Sequence, residues 1–240
     1  MSTSTMTPAQ LVGLADDHLC DAATAESLGA FVHRDVVAPL TALHDAARTA
    51  GFDLRLTSGF RGFERQRSIW NRKVAGELAV LDSCGTPLDI ATLTPHELML
   101  AILRWSALPG ASRHHWGTDI DVYDAAATPA GYEVQLIPAE VDAGGMHAPL
   151  HEWLDARIAA NAAFGFYRPY DRDRGGVAPE RWHLSYAPLS SHFLSQLTPA
   201  LLHDTIAQGD LLLGEEILAH LPALIDRFVT NVSHPTPIIA

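Results

Sequence analysis

The sequence predicts an α+β fold: a small, mostly antiparallel sheet flanked by helices, with a helical extension at the C-terminus. Three observations lead there. Helical periodicity recurs at irregular intervals along the 240 residues. Strand-like alternation is confined to a few short segments. The residues with the most chemistry sit where those strands begin or end.

Each element has its own warrant. Residues 8–20 read as a short helix opened by Pro8. Across 31–50, Val32, Val36, Val37, Leu40, Leu43, Ala46 and Ala47 keep helical spacing, Pro39 threatens a kink, and Gly51 marks the stop. Residues 53–57 alternate Leu54 and Leu56 with polar neighbours, which predicts a strand. Ser58-Gly59-Phe60-Arg61-Gly62 is a turn at its end, and 63–81 reads as helix. Residues 83–91 are a loop. Thr94, Pro95 and Glu97 supply a cap, a first-turn proline and a capping box for a helix reaching 108. Residues 118–123 form a strand, and 133–137 a possible hairpin strand. A helix over 149–164 stops at Gly165, and 181–186 is a strand. Helical stretches near 190–197, 199–207 and 214–232 close the chain.

The bulk numbers exclude several function classes. Lys and Arg total 16 against 28 Asp and Glu, a net charge of -12. That balance argues against nucleic acid and against an anionic membrane surface, both of which select clustered cations. Hydrophobic residues make up 48%, which suits a globular chain with a sizeable core. Cys20 and Cys84 make no disulfide framework and read as reduced thiols. The first residues lack a basic region and an apolar run, and no stretch of about 18 apolar residues occurs. The expected location is cytoplasmic, or periplasmic if a leader precedes this sequence.

Two motifs carry the chemistry. One is Ser112-Arg113-His114-His115-Trp116-Gly117-Thr118-Asp119-Ile120-Asp121, the other Glu180-Arg181-Trp182-His183. His114, Asp121 and His183 supply two imidazoles and a carboxylate, a ligand set for a catalytic zinc with a fourth position left to water. Glu180 is the candidate base. His114 and Asp121 are seven residues apart, so a straight strand would set them on opposite faces; a turn or bulge at Gly117 can restore convergence. Alternation in Trp182-His183-Leu184-Ser185-Tyr186 sends His183 to the face opposite Trp182, Leu184 and Tyr186. Arg61 adds a guanidinium at another strand end. Metal, base and cation are the parts that metal-assisted amide hydrolysis uses.

Taken together, Ser-x-His-x-x-Gly-x-x-x-Asp, then Glu-x-Trp-His, preceded by Ser-Gly-Phe-Arg-x-x-x-x-Gln, resemble the VanY-type D-alanyl-D-alanine carboxypeptidases over residues 30 to 190. The resemblance implies a hedgehog/DD-peptidase-like fold and a zinc carboxypeptidase domain (31–189); outside it lie a helical lead-in (1–30) and a C-terminal helical extension (190–240), whose apolar periodicity suggests packing on the core or, less so, a dimer contact. It implies zinc ligands His114, Asp121 and His183, a catalytic base Glu180, and Arg61 polarising the scissile carbonyl. Ser112 and Gln66 are implied near the substrate. Ser58 either supports its turn or touches substrate. Asp119 stands where the family often has a small residue; it is grouped with the substrate contacts, either holds Arg61 or a histidine in place or competes as a ligand, and departs from the pattern. His115 and Trp116 are expected to shape the pocket wall. The implied reaction removes terminal D-alanine from peptidoglycan stem peptides or muropeptides, through a D,D or an L,D bond, by a monomer or homodimer. An endolysin-like peptidoglycan endopeptidase and a non-catalytic zinc-binding module are the alternatives.

Overall fold

The computed structural model describes residues 5–235. Its strands are β1 (Leu54–Ser58), β2 (Asp119–Asp124), β3 (Phe166–Tyr167) and β4 (His183–Tyr186), joined antiparallel in the order β1-β2-β4-β3. The helices among the described residues are α1 (Pro8–Leu11), α2 (Ala22–Leu28), α3 (Val37–Thr49), α4 (Phe63–Val74), α5 (Pro95–Leu103), α6 (Pro138–Val141), α7 (Ala148–Ala159), α8 (Ala187–Gln196), α9 (Pro199–Ala207) and α10 (Gly214–Leu224). This is the expected α+β arrangement of a small antiparallel sheet flanked by helices. No helix of the described residues is long and apolar enough to cross a membrane.

Sheet register does most to place the chemistry. Asp121 on β2 pairs with Ser58 on β1 and with His183 on β4. Three residues from three separate motifs therefore stand abreast on adjacent strands. Alternation sends Ile120, Val122 and Leu184 to one face, all fully shielded. There they pack with Leu40 and Leu43 of α3 and Leu150 and Leu154 of α7. Asp119, Asp121, His183 and Ser185 take the other face. A second apolar cluster joins Trp70 of α4, Met99 and Ile102 of α5, Trp116, Phe193 of α8, Leu202 of α9 and Ile217 of α10.

Several boundaries differ from the sequence expectation, each for a local reason. The first helix stops after one turn because Gly13 enters the left-handed region, φ 79°. Pro39 occupies the first turn of α3, where its missing N–H removes no helical bond, so it sets no kink. Helix α4 ends at Val74, with Gly76 at φ 77°, and does not reach residue 81. Helix α7 ends at Ala159, short of Gly165, with Asn161 at φ 53°. The final helix continues beyond Leu224 as a π-turn over Ile225–Val229, after an internal Pro222 that lacks the donor a regular helix needs. Residues 133–137 are not a strand. The Gln135 and Ile137 N–H groups donate to the Glu140 carboxylate rather than to a partner strand, and Leu136 is left-handed at φ 55°.

Candidate metal and catalytic site

His114 reaches the sheet from a 3₁₀ turn, Arg113–Trp116, that precedes β2. Gly117 closes this turn at φ 66°. A Cβ there would sit 2.6 Å from the His33 nitrogen, so the close approach requires glycine. The turn, rather than a strand bulge, brings His114 and Asp121 together. His114 Nε2 lies 3.3 Å from Asp121 Oδ2, and His183 Nδ1 lies 3.2 Å from Asp121 Oδ1. The His114 and His183 ring centroids are 4.9 Å apart.

These residues fit a metal on three counts. One ligand atom from each falls within 4.8 Å of the other two, and all three residues are buried. Tetrahedral zinc with bonds of about 2.0–2.1 Å spaces its ligands about 3.3 Å apart, close to the separations seen. Asp121 Oδ1 is a buried acceptor with no hydrogen-bond partner, an expensive state for a carboxylate that no ligand satisfies. The outer ring nitrogens are already engaged. His114 Nδ1 is 2.8 Å from the Gly59 carbonyl, and His183 Nε2 is 3.0 Å from Asp119 Oδ1. Such contacts fix ring orientation and leave the inner nitrogens facing the site.

Asp119 thus lies behind His183. It is fully buried, receives Arg113 Nε at 2.7 Å and the Thr118 hydroxyl at 2.7 Å, and does not hold Arg61. Its oxygens are thus engaged by Arg113, Thr118 and His183. Burial alone would raise the Asp119 pKa, but the Arg113 charge and the His183 hydrogen bond hold it well below the usual carboxylate range. Asp121 behaves alike: burial works to raise it, while His114 and His183 hold it far down. Burial also works to lower His183, yet its hydrogen bond to Asp119, its close approach to Asp121 and the charge of both aspartates push it up to about 9.

Arg61 and Glu180 flank this group. Arg61 donates to Gln66 Oε1 at 3.0 Å and to Ser58 Oγ at 3.1 Å, with its guanidinium 4.0 Å from Asp121. Gln66 is fully buried and anchored by its own donation to the Ala107 carbonyl at 2.7 Å. Ser58 and Gln66 therefore brace the arginine. Ser112 is buried and opens the His114 turn. Glu180 Oε2 is 3.5 Å from His183 Nδ1. Burial, opposed mainly by His183, pushes the Glu180 pKa up to about 7. Its loop is pinned by Arg181, which donates to the Val141 carbonyl at 2.5 Å and to Asp155 at 2.6 Å.

Some participants escaped the sequence reading. Arg113 is buried and spans Asp119, Ser185 Oγ at 2.7 Å and Tyr167 at 3.2 Å. Its pairing with Asp119 depends on the Gly117 turn, which spacing along the sequence does not show. The Tyr170 ring lies 5.1 Å from His183. Lys73 is half-buried at the end of α4; burial lowers its pKa and the nearby Glu180 charge opposes this. His115 accepts from the Gly110 N–H at 3.1 Å and meets the Arg61 carbonyl at 2.5 Å, so it ties two loops together. Trp116 belongs to the core, not to the pocket wall: it is fully buried and donates to the Leu11 carbonyl at 3.0 Å.

A buried His-Asp-His group with a carboxylate and a guanidinium beside it is a constellation suited to hydrolysis at a metal. Residues 29–189 match the VanY family of D-alanyl-D-alanine carboxypeptidases, and the chain belongs to that family. It is 42% identical over 103 residues to an uncharacterized protein of Haemophilus influenzae, covering 43% of this chain and 70% of that one. It is 28% identical over 152 residues to a D-alanyl-D-alanine carboxypeptidase of Enterococcus faecalis, covering 62% of this chain and 46% of the relative. Among solved structures it resembles VanYB in complex with D-Ala-D-Ala at a TM-score of 0.50 and 22% identity, over 82% of this chain and 91% of that chain. At that identity the likeness is one of fold.

Proposed function

We propose that this protein is a zinc-dependent carboxypeptidase that removes the terminal D-alanine from peptidoglycan stem peptides or muropeptides. The observation that carries the proposal is the convergence of His114, Asp121 and His183 with Glu180 and Arg61 on one sheet face, in a chain of the VanY family. His114 Nε2, His183 Nδ1 and the Asp121 carboxylate would hold the zinc. When bound, zinc supplies Lewis acidity that polarises water and carbonyl. Glu180, with its pKa near neutrality, accepts a proton from water as the water oxygen attacks the scissile carbonyl carbon. Arg61, held by Ser58 and Gln66, faces the negative charge that develops on the carbonyl oxygen. Glu180 then returns the proton to the departing amine nitrogen as the C–N bond breaks.

The test is release of D-alanine from muropeptide tetrapeptide and pentapeptide, with and without a chelator, followed by mass spectrometry. Chelator-sensitive release is expected, and the peptide that reacts separates L,D from D,D cleavage. Glu180→Gln should retain zinc and lose about 10²–10⁴-fold in turnover. Full activity in that variant would remove Glu180 from its role. Cleavage of cross-linked wall without D-alanine release would point to an endopeptidase. Zinc uptake with no hydrolysis of any of these would point to a non-catalytic zinc module.

A further inference from the structure

Helices α5 and α10 assemble a second set of metal-ligating side chains, apart from the two motifs that carry the first site. His96 lies in the first turn of α5, Glu216 in the first turn of α10, and His220 one turn further along. His96 Nδ1 is 2.9 Å from Glu216 Oε1, and His220 Nε2 is 3.1 Å from the same oxygen. The two imidazole centroids are 4.4 Å apart. One ligand atom from each residue lies within 4.8 Å of the other two. The composition, two imidazoles and a carboxylate, repeats that of the first site.

We propose that His96, Glu216 and His220 form a second site for a divalent transition metal of the zinc type, which clamps α10 to α5. The local structure prepares it. Glu216 and His220 are four residues apart and share one helix face. His96 is held by a helix start that Thr94 and Glu97 cap reciprocally, with Pro95 at the first position. The separations of 2.9 and 3.1 Å approach the ligand spacing of about 3.3 Å that tetrahedral zinc imposes. Without a metal, one carboxylate oxygen serves both imidazoles, and protonating both rings would set two positive charges side by side. A single divalent ion replaces that arrangement with three ligand bonds. The side chains are 44%, 28% and 44% exposed, so the ion enters from solvent and water completes its shell. Mixed imidazole and carboxylate ligation suits zinc and its neighbours rather than calcium or magnesium. Beneath this cluster, Met99 and Ile102 of α5 share a core with Ile217 and Leu221 of α10, so the metal would fasten the solvent edge of an existing helix contact.

The test is zinc stoichiometry after equilibrium dialysis, with thermal melts in zinc and in chelator. The double variant H96A/H220A, altered only at half-exposed positions, should melt like wild type in chelator and bind one zinc fewer per chain. The rise in melting temperature that zinc gives wild type should shrink in H96A/H220A, and likewise in Glu216→Gln, which keeps the carboxamide oxygen as a hydrogen-bond acceptor but loses the charge. Equal stoichiometry and equal zinc stabilisation in wild type and H96A/H220A would overturn the proposal. His183→Ala separates this site from the first. If only the second site binds, wild type holds a single zinc that His183→Ala keeps and H96A/H220A loses.

Discussion

His183 and His114 are both buried, yet they differ in charge, and the difference lies in their neighbours. Burial dominates at His114 and lowers its pKa, with Asp121 opposing and Arg61 assisting. At His183 burial is overcome by two carboxylates, and the imidazole holds its proton to about pH 9. Zinc needs His183 Nδ1 unprotonated. Zinc bound as proposed would displace that proton at any pH below about 9, and its affinity would fall as pH drops further below that value. Near neutral pH, calorimetry in buffers of different ionisation heat should show about one proton released per zinc at this site, less in Asp119→Asn. No release would mean that His183 is neutral in the metal-free protein. The same pairing stabilises the metal-free fold fully below the ordinary imidazole value, and that contribution is lost as pH rises through about 9. Spacing in short motifs points to His114, Asp121, His183, Glu180 and Arg61, and the structure brings these five side chains together. Spacing did not resolve Asp119. Whether that carboxylate supports a histidine, holds Arg61 or competes as a ligand depends on a strand-to-strand pairing and on the buried Arg113, and neither is local in sequence.

At the scale of the element, one glycine decides whether the ligands meet. Gly117 ends the 3₁₀ turn in the left-handed region, accepts the His33 N–H at 2.8 Å, and has no room for a side chain between His33 and Leu19. Gly117→Ala should cost at least about 1–2 kcal/mol from backbone conformation alone, with the steric conflict added. It should also weaken zinc binding, because the turn that carries His114 must shift. Thermal melts and zinc competition titrations measure the two effects; a variant with wild-type values in both would show that the turn accommodates a Cβ. Elements with local signals were readable in advance. Thr94, Pro95 and Glu97 announced α5, and alternation announced β1, β2 and β4. Elements defined by partners were not. β3 is two residues long and exists only because Phe166 and Tyr167 pair with β4. Residues 133–137 read as a possible hairpin strand, but Glu140 captures the Gln135 and Ile137 donors. Asp21 and Gly29 flank α2 as cap and stop, but with Leu28 as its only large apolar side chain the segment shows no apolar period.

At the scale of the whole molecule, the site strand is tied to both apolar cores. β4 contributes Leu184 to one core and runs directly into α8, whose Phe193 is fully buried in the other and meets Trp116 edge-on with centroids 6.3 Å apart. Ser185 beside the site donates to Ser190 of α8 at 2.8 Å. The C-terminal helices then complete the core that holds Trp116, two positions beyond His114: Leu202, Ile206, Ile217 and Leu221 are almost entirely shielded there. Helices that share one core with the site's own turn should unfold with it. Leu202, fully buried, offers a direct test. Leu202→Ala should destabilise the protein by about 2–5 kcal/mol. Denaturation followed by far-ultraviolet circular dichroism and by tryptophan fluorescence should give coincident transitions, shifted together to lower denaturant. If α9 and α10 were instead an independent unit, the substitution would open an early circular-dichroism transition and leave zinc retention at its wild-type midpoint. Coincidence would mean that residues remote from the proposed zinc ligands set the stability of the turn presenting His114.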